Sequence, residues 1–184
     1  MEEARKAEYY TIEEFYAVMG EKRAELIGGV IYDMSPASNR MHQTLAAYLF
    51  YQIAQFIDSK NGSCNPILAP FDVKLFDDTV VQPDVSVICD SKKLTEKGCD
   101  GAPDWVIEIV SDNAVHDYIR KFRLYADSGV REYWIVDPKR RMTTVYGFGS
   151  NESFNLYSFD ETVPAGIYDG ELTIHVGKLI EKYY

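Results

Sequence analysis

The 184-residue sequence has few cysteines and no long apolar run. The three cysteines, Cys64, Cys89 and Cys99, are odd in number and do not have the spacing of metal ligands. We interpret Cys89, at the end of a strand pattern, as buried filler and expect a reducing cytoplasm. No stretch of about eighteen apolar residues occurs, so no membrane span is predicted. The N-terminus also lacks the basic-then-apolar order of a signal peptide.

Basic residues are also scarce, and the net charge is −10. A generic nucleic-acid binder is usually basic, so this charge argues against that class. A nuclease is still compatible with it, because a divalent cation and a few local basic residues can offset the field at one site. Basic residues cluster at three places: Arg120, Lys121 and Arg123; Lys139, Arg140 and Arg141; Lys92 and Lys93. The simplest interpretation of the last two clusters is a solvated surface.

The chain has enough apolar residues, 46% of the total, to build one core. We therefore predict a single domain over residues 9–184, preceded by a charged, disordered tail over residues 1–8. Thr11 and Glu14 form a capping-box pattern that starts a helix ending near Met19. Gly28 and Gly29 predict the turn of a hairpin within residues 24–34.

The remaining pattern alternates between helices and strands. A helix capped by Ser38 is expected to reach about Ile57, and the period then changes to two from Asn65. Further strands are predicted at residues 80–88, 105–110 and 132–136, with a helix at 114–127 and short strands at 142–146, 154–159 and 172–176. This order predicts an α/β fold in which a mixed sheet is flanked by helices and extended by C-terminal strands.

Two predicted strands each carry one carboxylate among apolar residues. Glu108 is the single acid in the run from Trp105 to Val110, and Asp84 follows Pro83 in the run over residues 80–88. A carboxylate in such a position costs free energy unless it faces water, a partner or a metal. Since proline suits a strand start, an edge or a bulge, we expect Asp84 near the mouth of the sheet.

A lysine on the following helix completes a possible catalytic set. Asp117, Lys121 and Tyr125 are spaced at i, i+4 and i+8, so the outer two could position the lysine ammonium. Phosphodiester hydrolysis needs a cation with oxygen ligands, and a nearby lysine can orient water or neutralise developing charge. The competing interpretation is a strand glutamate that pairs with a buried arginine or lies at a sheet edge, together with an ordinary surface Asp117–Lys121 pair.

Four segments together resemble the Uma-type endonuclease family of the PD-(D/E)XK, restriction-endonuclease-like superfamily. They are Gln82-Pro83-Asp84-Val85, Trp105-Val106-Ile107-Glu108-Ile109-Val110-Ser111, Asp117-x-x-x-Lys121-x-x-x-Tyr125-Ala126 and Gly129-Val130-x-Glu132-Tyr133-Trp134-Ile135-Val136-Asp137-Pro138. The resemblance continues upstream and covers nearly the whole chain after Glu8. One departure is Gly28-Gly29-Val30, where the family usually has Asp-Gly-Glu; the loss of two acids weakens the case for a second metal.

The resemblance implies a role for each matching residue. Asp84 and Glu108 would ligate Mg²⁺ or Mn²⁺, with the backbone carbonyl of Ile109 as a third ligand. The parent motif places its lysine two residues after the acid, where this chain has Val110, so Lys121 would supply it from the next helix. Glu25 and His42 would be additional site residues, beside Asp117 and Tyr125.

The leading hypothesis is a Mg²⁺-dependent endonuclease that hydrolyses DNA. The alternative is a catalytically inactive interaction module that has kept the nuclease fold, which the acidic surface favours. A nuclease that acts as a homodimer, or with a basic partner, is the third possibility.

Overall fold

The structure is a computed structural model that describes residues 8–20, 22–34, 39–111, 115–149 and 152–183, and the side chains of residues 115–119 and 183 lie outside this description. The helices are α1 (Ile12–Met19), α2 (Arg40–Ser59), α3 (Val115–Ser128) and α4 (Val176–Tyr183). The first seven strands are β1 (Ala24–Ile27), β2 (Val30–Asp33), β3 (Asn65–Leu68), β4 (Asp72–Phe76), β5 (Thr79–Val81), β6 (Val85–Ile88) and β7 (Gly98–Asp100). The others are β8 (Trp105–Ile109), β9 (Glu132–Asp137), β10 (Met142–Gly147), β11 (Ser153–Ser158), β12 (Val163–Pro164) and β13 (Thr173–Ile174).

Within the described ranges the strands form two larger sheets and one small ladder. The first sheet has the order β2-β1-β5-β4-β7, the second has the order β11-β10-β9-β8-β6-β3, and β12 pairs with β13. Strands β8 and β9 are parallel and are joined by α3, the crossover that a parallel pair requires. Most other neighbours are antiparallel, so the fold is the mixed α/β arrangement expected from the sequence.

The second sheet is covered on both faces. Helices α2 and α4 pack on one face, against Trp105, Ile107 and Trp134. Helix α3 and the first sheet pack on the other face, where Tyr125 of α3 joins Val106 and Tyr133. Because β8 is buried on both sides, its near-continuous apolar sequence fits its central place. Glu108 is the one residue of this strand whose burial needs a polar explanation.

Local signals near the N-terminus act as predicted. Helix α1 has Thr11 as its N-cap, and the capping box with Glu14 forms in both directions. The hairpin of β1 and β2 turns at Gly28 and Gly29, which have φ values of 57° and 76°. Glycine reaches this left-handed region without steric cost, so the pair fixes the hairpin's register. Helix α1 then covers the hairpin through Phe15 and Met19.

Helix α2, with 20 residues, begins at a different cap from the one expected. The side chain of Asn39 caps it by accepting a hydrogen bond from the backbone N–H of His42, while Ser38 lies outside the described residues. Its buried stripe runs through Leu45, Leu49 and Ile53, as the period predicted. Neither this helix nor any other in the described ranges has the length and apolar character needed to cross a membrane.

Two strand predictions were wrong. The apolar run over residues 80–88 is not one strand: β5 belongs to the first sheet and β6 to the second, and the chain passes from one to the other at residues 82–84. The break occurs at Pro83, which lacks the N–H that a continuous ladder would need. Near the C-terminus, residues 172–176 give only the short β13, and Val176 begins α4, which the strand pattern missed.

The interpretation of Cys89 as filler was also wrong. Cys89 forms a disulfide with Cys64, whereas Cys99 is a free, buried thiol. Strands β3 and β6 bring the two cysteines together. Asn65 pairs with Ile88 in this antiparallel ladder, so the next pair in the same register is Cys64 and Cys89. Because two of the three cysteines are paired, the cysteine pattern no longer supports the prediction of a reducing compartment.

Candidate metal and active site

The break between β5 and β6 places Asp84 opposite Glu108. Val85 pairs with Ile107 in the antiparallel ladder of β6 and β8, so the next pair in this register would be Asp84 and Glu108. Strand β6 begins only at Val85, and Asp84 therefore lies outside its ladder with β8. Its side chain instead accepts a hydrogen bond from the backbone N–H of Ile109, 2.8 Å from Oδ2. The two acids thus lie at the end of two adjoining strands.

Lys121 joins Glu108 to a second buried carboxylate. Its Nζ atom lies 2.9 Å from Glu108 Oε1 and 3.0 Å from Glu25 Oε1, and the lysine side chain is 5% exposed. The hydroxyl of Tyr125, one turn later on α3, donates to the same Glu108 oxygen at 2.7 Å. Glu25 also accepts from the backbone N–H of Gln82 at 2.9 Å. Residues from β1, β8, α3 and the β5–β6 connection therefore meet in one polar cluster.

His42 approaches Asp84 from the other side of the sheet. Its Nε2 atom lies 3.0 Å from Asp84 Oδ2, the oxygen that also accepts from Ile109. Burial disfavours a charged imidazole, but the hydrogen bond and the charge of Asp84 outweigh it and raise the pKa of His42. These two contacts fix the carboxylate of Asp84 at the strand end.

The backbone of Ile109 faces the same place. Its N–H is directed at Asp84, whereas the next residue, Val110, donates its N–H to Val136 on β9. The N–H and C=O of one strand residue point to the same neighbour, so the Ile109 carbonyl also faces the edge that β6 has left. This is the direction in which a carbonyl ligand beside Asp84 would have to point.

Negative charge exceeds positive charge in this cluster. Burial, together with the charges of Asp84 and Glu25, raises the pKa of Glu108, although Lys121 and the Tyr125 hydroxyl oppose the rise. Three carboxylates share one ammonium group and one imidazole. A site with this imbalance is stabilised by a bound cation, because the cation offsets the repulsion between the carboxylates.

The oxygen donors present fit Mg²⁺. Within the described part of the chain, Asp84 Oδ1 and Glu108 Oε2 make no hydrogen bond, so each acid has one oxygen held in place and one uncommitted. No group of three or more His, Cys, Asp or Glu side chains in the described ranges is arranged to hold a metal. Two carboxylates and a carbonyl are nevertheless sufficient for Mg²⁺, since this ion keeps several of its waters.

Two buried polar atoms at the border of the cluster also indicate a hydrated site. Gln82 Oε1 and His42 Nδ1 have no hydrogen-bond partner among the described residues. Buried polar atoms without a protein partner are normally satisfied by ordered water or a ligand. Both belong to residues that already hold Glu25 or Asp84 in place.

Most of the residues selected from the sequence come together here. Glu25, Glu108, Lys121 and Tyr125 are joined by hydrogen bonds, and Asp84 and His42 form a second bonded pair beside them. Lys121 contacts Glu25 and Glu108 and has no direct bond to Asp84 among the described contacts. The side chain of Asp117 lies outside the described residues. The role of the Gln82 backbone N–H in fixing Glu25 was missed, although Gln82 immediately precedes Pro83 and Asp84.

The chain was compared with known families and structures. The model of the Uma2 family, described as "putative restriction endonuclease", matches residues 7–168. No curated protein matches the chain. A crystal structure of a "putative nuclease belonging to DUF820" from Anabaena variabilis ATCC 29413 has a TM-score of 0.76 with this chain, at 23% identity, and covers 93% of this chain and 97% of its own. That likeness shows the same fold, and the family match spans most of the sequence. The chain therefore belongs to the Uma2 family of putative restriction endonucleases.

Proposed function

We propose that this protein is a Mg²⁺-dependent endonuclease that hydrolyses phosphodiester bonds in DNA. The observation that supports it best is the position of Lys121. Val110, just after β8, occupies the place two residues after Glu108 where the parent motif has its lysine, yet an ammonium group reaches Glu108 from α3 at 2.9 Å. Asp84 at the break before β6, Glu108 in the neighbouring strand of the sheet and the buried Lys121 form the set that metal-assisted phosphodiester hydrolysis needs.

Each residue of the cluster has a distinct task in this proposal. Asp84, Glu108 and the Ile109 carbonyl hold the ion, which when bound neutralises phosphate charge and lowers the pKa of water. Lys121 places a fixed positive charge beside Glu108, where negative charge develops on the phosphate in the transition state. Glu25 and Tyr125 keep Lys121 and Glu108 in one arrangement, which lowers the cost of reorganisation during the reaction.

The proposed function is tested by cleavage of supercoiled plasmid and linear DNA with Mg²⁺, Mn²⁺ or EDTA. We expect nicking that requires the metal and is lost in Asp84→Ala, Glu108→Ala and Lys121→Ala. Glu132→Gln is the matched control, because Glu132 is also a buried glutamate but lies at the end of the sheet away from Glu108. Its oxygens accept hydrogen bonds from Trp134 and Ile167. Absence of cleavage by the wild-type protein with either metal would refute the proposal.

Calorimetric titration with Mg²⁺ separates the nuclease from an inactive interaction module. The nuclease requires binding that Asp84→Ala removes. A module that kept only the fold would bind no Mg²⁺, or would bind it equally well after this substitution.

Two further predictions from the sequence accompany this proposal. We propose a homodimer formed through β11, an edge strand in which Phe154 and Leu156 are 62% and 54% exposed. All six residues of β11 are uncharged, which suits contact between two chains that each carry a net charge of −10. Light scattering measures the molecular mass, and a Leu156→Glu variant should shift a dimer to monomer. The cytoplasmic location stays a prediction.

A further inference from the structure

An exposed arginine at the edge of the candidate site lies over an aromatic ring. The Arg120 guanidinium carbon lies 4.1 Å from the centre of the Tyr32 ring. Tyr32 is the direct cross-strand partner of Glu25 in the β1–β2 hairpin, so both side chains point to the same face. Glu25 forms an ion pair with Lys121, and Tyr32 contacts Arg120, the residue before Lys121. The hairpin therefore positions two consecutive cations of α3, one buried and one exposed.

The donors of Arg120 are available in this arrangement. Within the described residues Arg120 makes no ion pair and no side-chain hydrogen bond, and its side chain is exposed. Contact with the face of a ring occupies no oxygen acceptor, so the N–H groups of the guanidinium remain available as donors. Those groups match the oxygens of a phosphate, and the contact with the ring reduces the conformational freedom lost when a phosphate binds.

Charge around the site favours the same ligand. The protein as a whole repels a polyanion, and the carboxylates of the cluster add to that repulsion. Arg120 directly precedes Lys121 on α3 and is the exposed cation of the two. A phosphate beside the metal site would therefore find an accessible positive charge at Arg120.

We propose that Arg120, oriented by Tyr32, binds a backbone phosphate of the DNA strand beside the phosphate that is cleaved. The proposal rests on the DNA substrate proposed above. It makes Arg120 a substrate-binding residue and Tyr32 a positioning residue. If Arg120 served only to dock α3 on the hairpin, its loss would change stability without changing the salt dependence of DNA binding.

The test measures DNA binding separately from cleavage. Fluorescence anisotropy of a short labelled duplex is recorded with Mg²⁺ in a Glu108→Gln background. Glutamine at position 108 keeps an oxygen acceptor for Lys121 and Tyr125 and removes one charge that repels DNA. This background should not cleave the duplex, and a gel run after each titration verifies that the DNA is intact. One lost phosphate contact should reduce the slope of log K against log salt by about 0.9, or lower affinity roughly eightfold at 0.1 M salt.

The variants divide the possible outcomes. Arg120→Ala and Arg120→Gln should both show this loss, whereas Arg123→Ala, which removes an exposed arginine one turn further along α3, should not. Tyr32→Phe keeps the ring and should bind like the background, while Tyr32→Leu should lose part of the affinity. An unchanged slope in the Arg120 variants, an equal loss in Arg123→Ala, or no DNA binding by the background overturns the proposal. If the wild type cleaves DNA but the Arg120 variants bind it as the background does, only this inference is refuted. If DNA binding depends on Arg120 but the wild type cleaves no DNA, only the nuclease proposal is refuted.

Discussion

Replacing Lys121 by methionine is the most informative single change in this protein. Methionine keeps much of the length and apolar stem of lysine but removes the ammonium that contacts Glu25 and Glu108 at 3.0 Å and 2.9 Å. Both carboxylates are buried, so they lose their shared counter-charge without gaining water. Removing one partner of a buried ion pair typically costs about 3–5 kcal/mol. For a chain of this length that corresponds to a fall in Tm of about 10 °C.

The loss should depend on pH in a defined direction. The pKa of Glu108 is already raised by burial, and it rises further without Lys121, which lowers it in the wild type. A carboxyl whose folded-state pKa is raised contributes most stability below its unfolded pKa, near 4.5, and loses that contribution as pH rises through the folded value. The part of the cost of Lys121→Met that arises at Glu108 should therefore be smaller at pH 5 than at pH 8, while the loss of the pair with Glu25 adds to the cost at both.

Urea unfolding followed by circular dichroism, in EDTA at both pH values, measures this difference. Lys93→Met is the matched control, because the Lys93 ammonium bonds to the neutral carbonyl of Ala102 at 2.7 Å and its loss should show little pH dependence. The double variant Glu108→Gln/Lys121→Met should recover part of the lost stability, and the cycle gives the coupling energy. If Lys121→Met is as stable as wild type at pH 8 in EDTA, the buried ion-pair description is wrong.

Three other outcomes are expected. In EDTA, the stability of the wild type should fall as pH rises from 4.5 through about 7, the raised pKa of Glu108, and Glu108→Gln should flatten this dependence in urea unfolding. Mg²⁺ at a hundred times its Kd should stabilise the wild type by about 2.7 kcal/mol in thermal denaturation, with no effect on Asp84→Asn. Thiol titration of the denatured, unreduced protein should find only Cys99, because Cys64 and Cys89 are paired; three reactive thiols would contradict the disulfide.

Local sequence signals predicted those elements whose causes are local. The capping box of Thr11 and Glu14, the glycine turn of the hairpin and the apolar run from Trp105 each contain their own physical reason for folding. The period-two run over residues 80–88 failed because alternation shows which residues are buried and not which sheet buries them. Pro83 was the available signal for the break.

Contacts between distant residues could not be predicted from spacing. Lys121 meets Glu25 across 96 positions, and nothing in either segment specifies the other. The Cys64–Cys89 pairing likewise depends on the register of β3 with β6, which the sequence does not give. The helix spacing supplied Lys121 and the family resemblance supplied Glu25 as candidates, but the hydrogen bond that joins them requires β1 and α3 to pack together.

The site spans the two larger sheets of the fold. Glu25 comes from the first sheet, Glu108 from the second, and Asp84 from the short connection between them. A chain in which only one sheet has formed cannot hold Lys121 in place. The cluster therefore reports on the contact between the two sheets, since any change that separates them parts Lys121 from one of its two carboxylates.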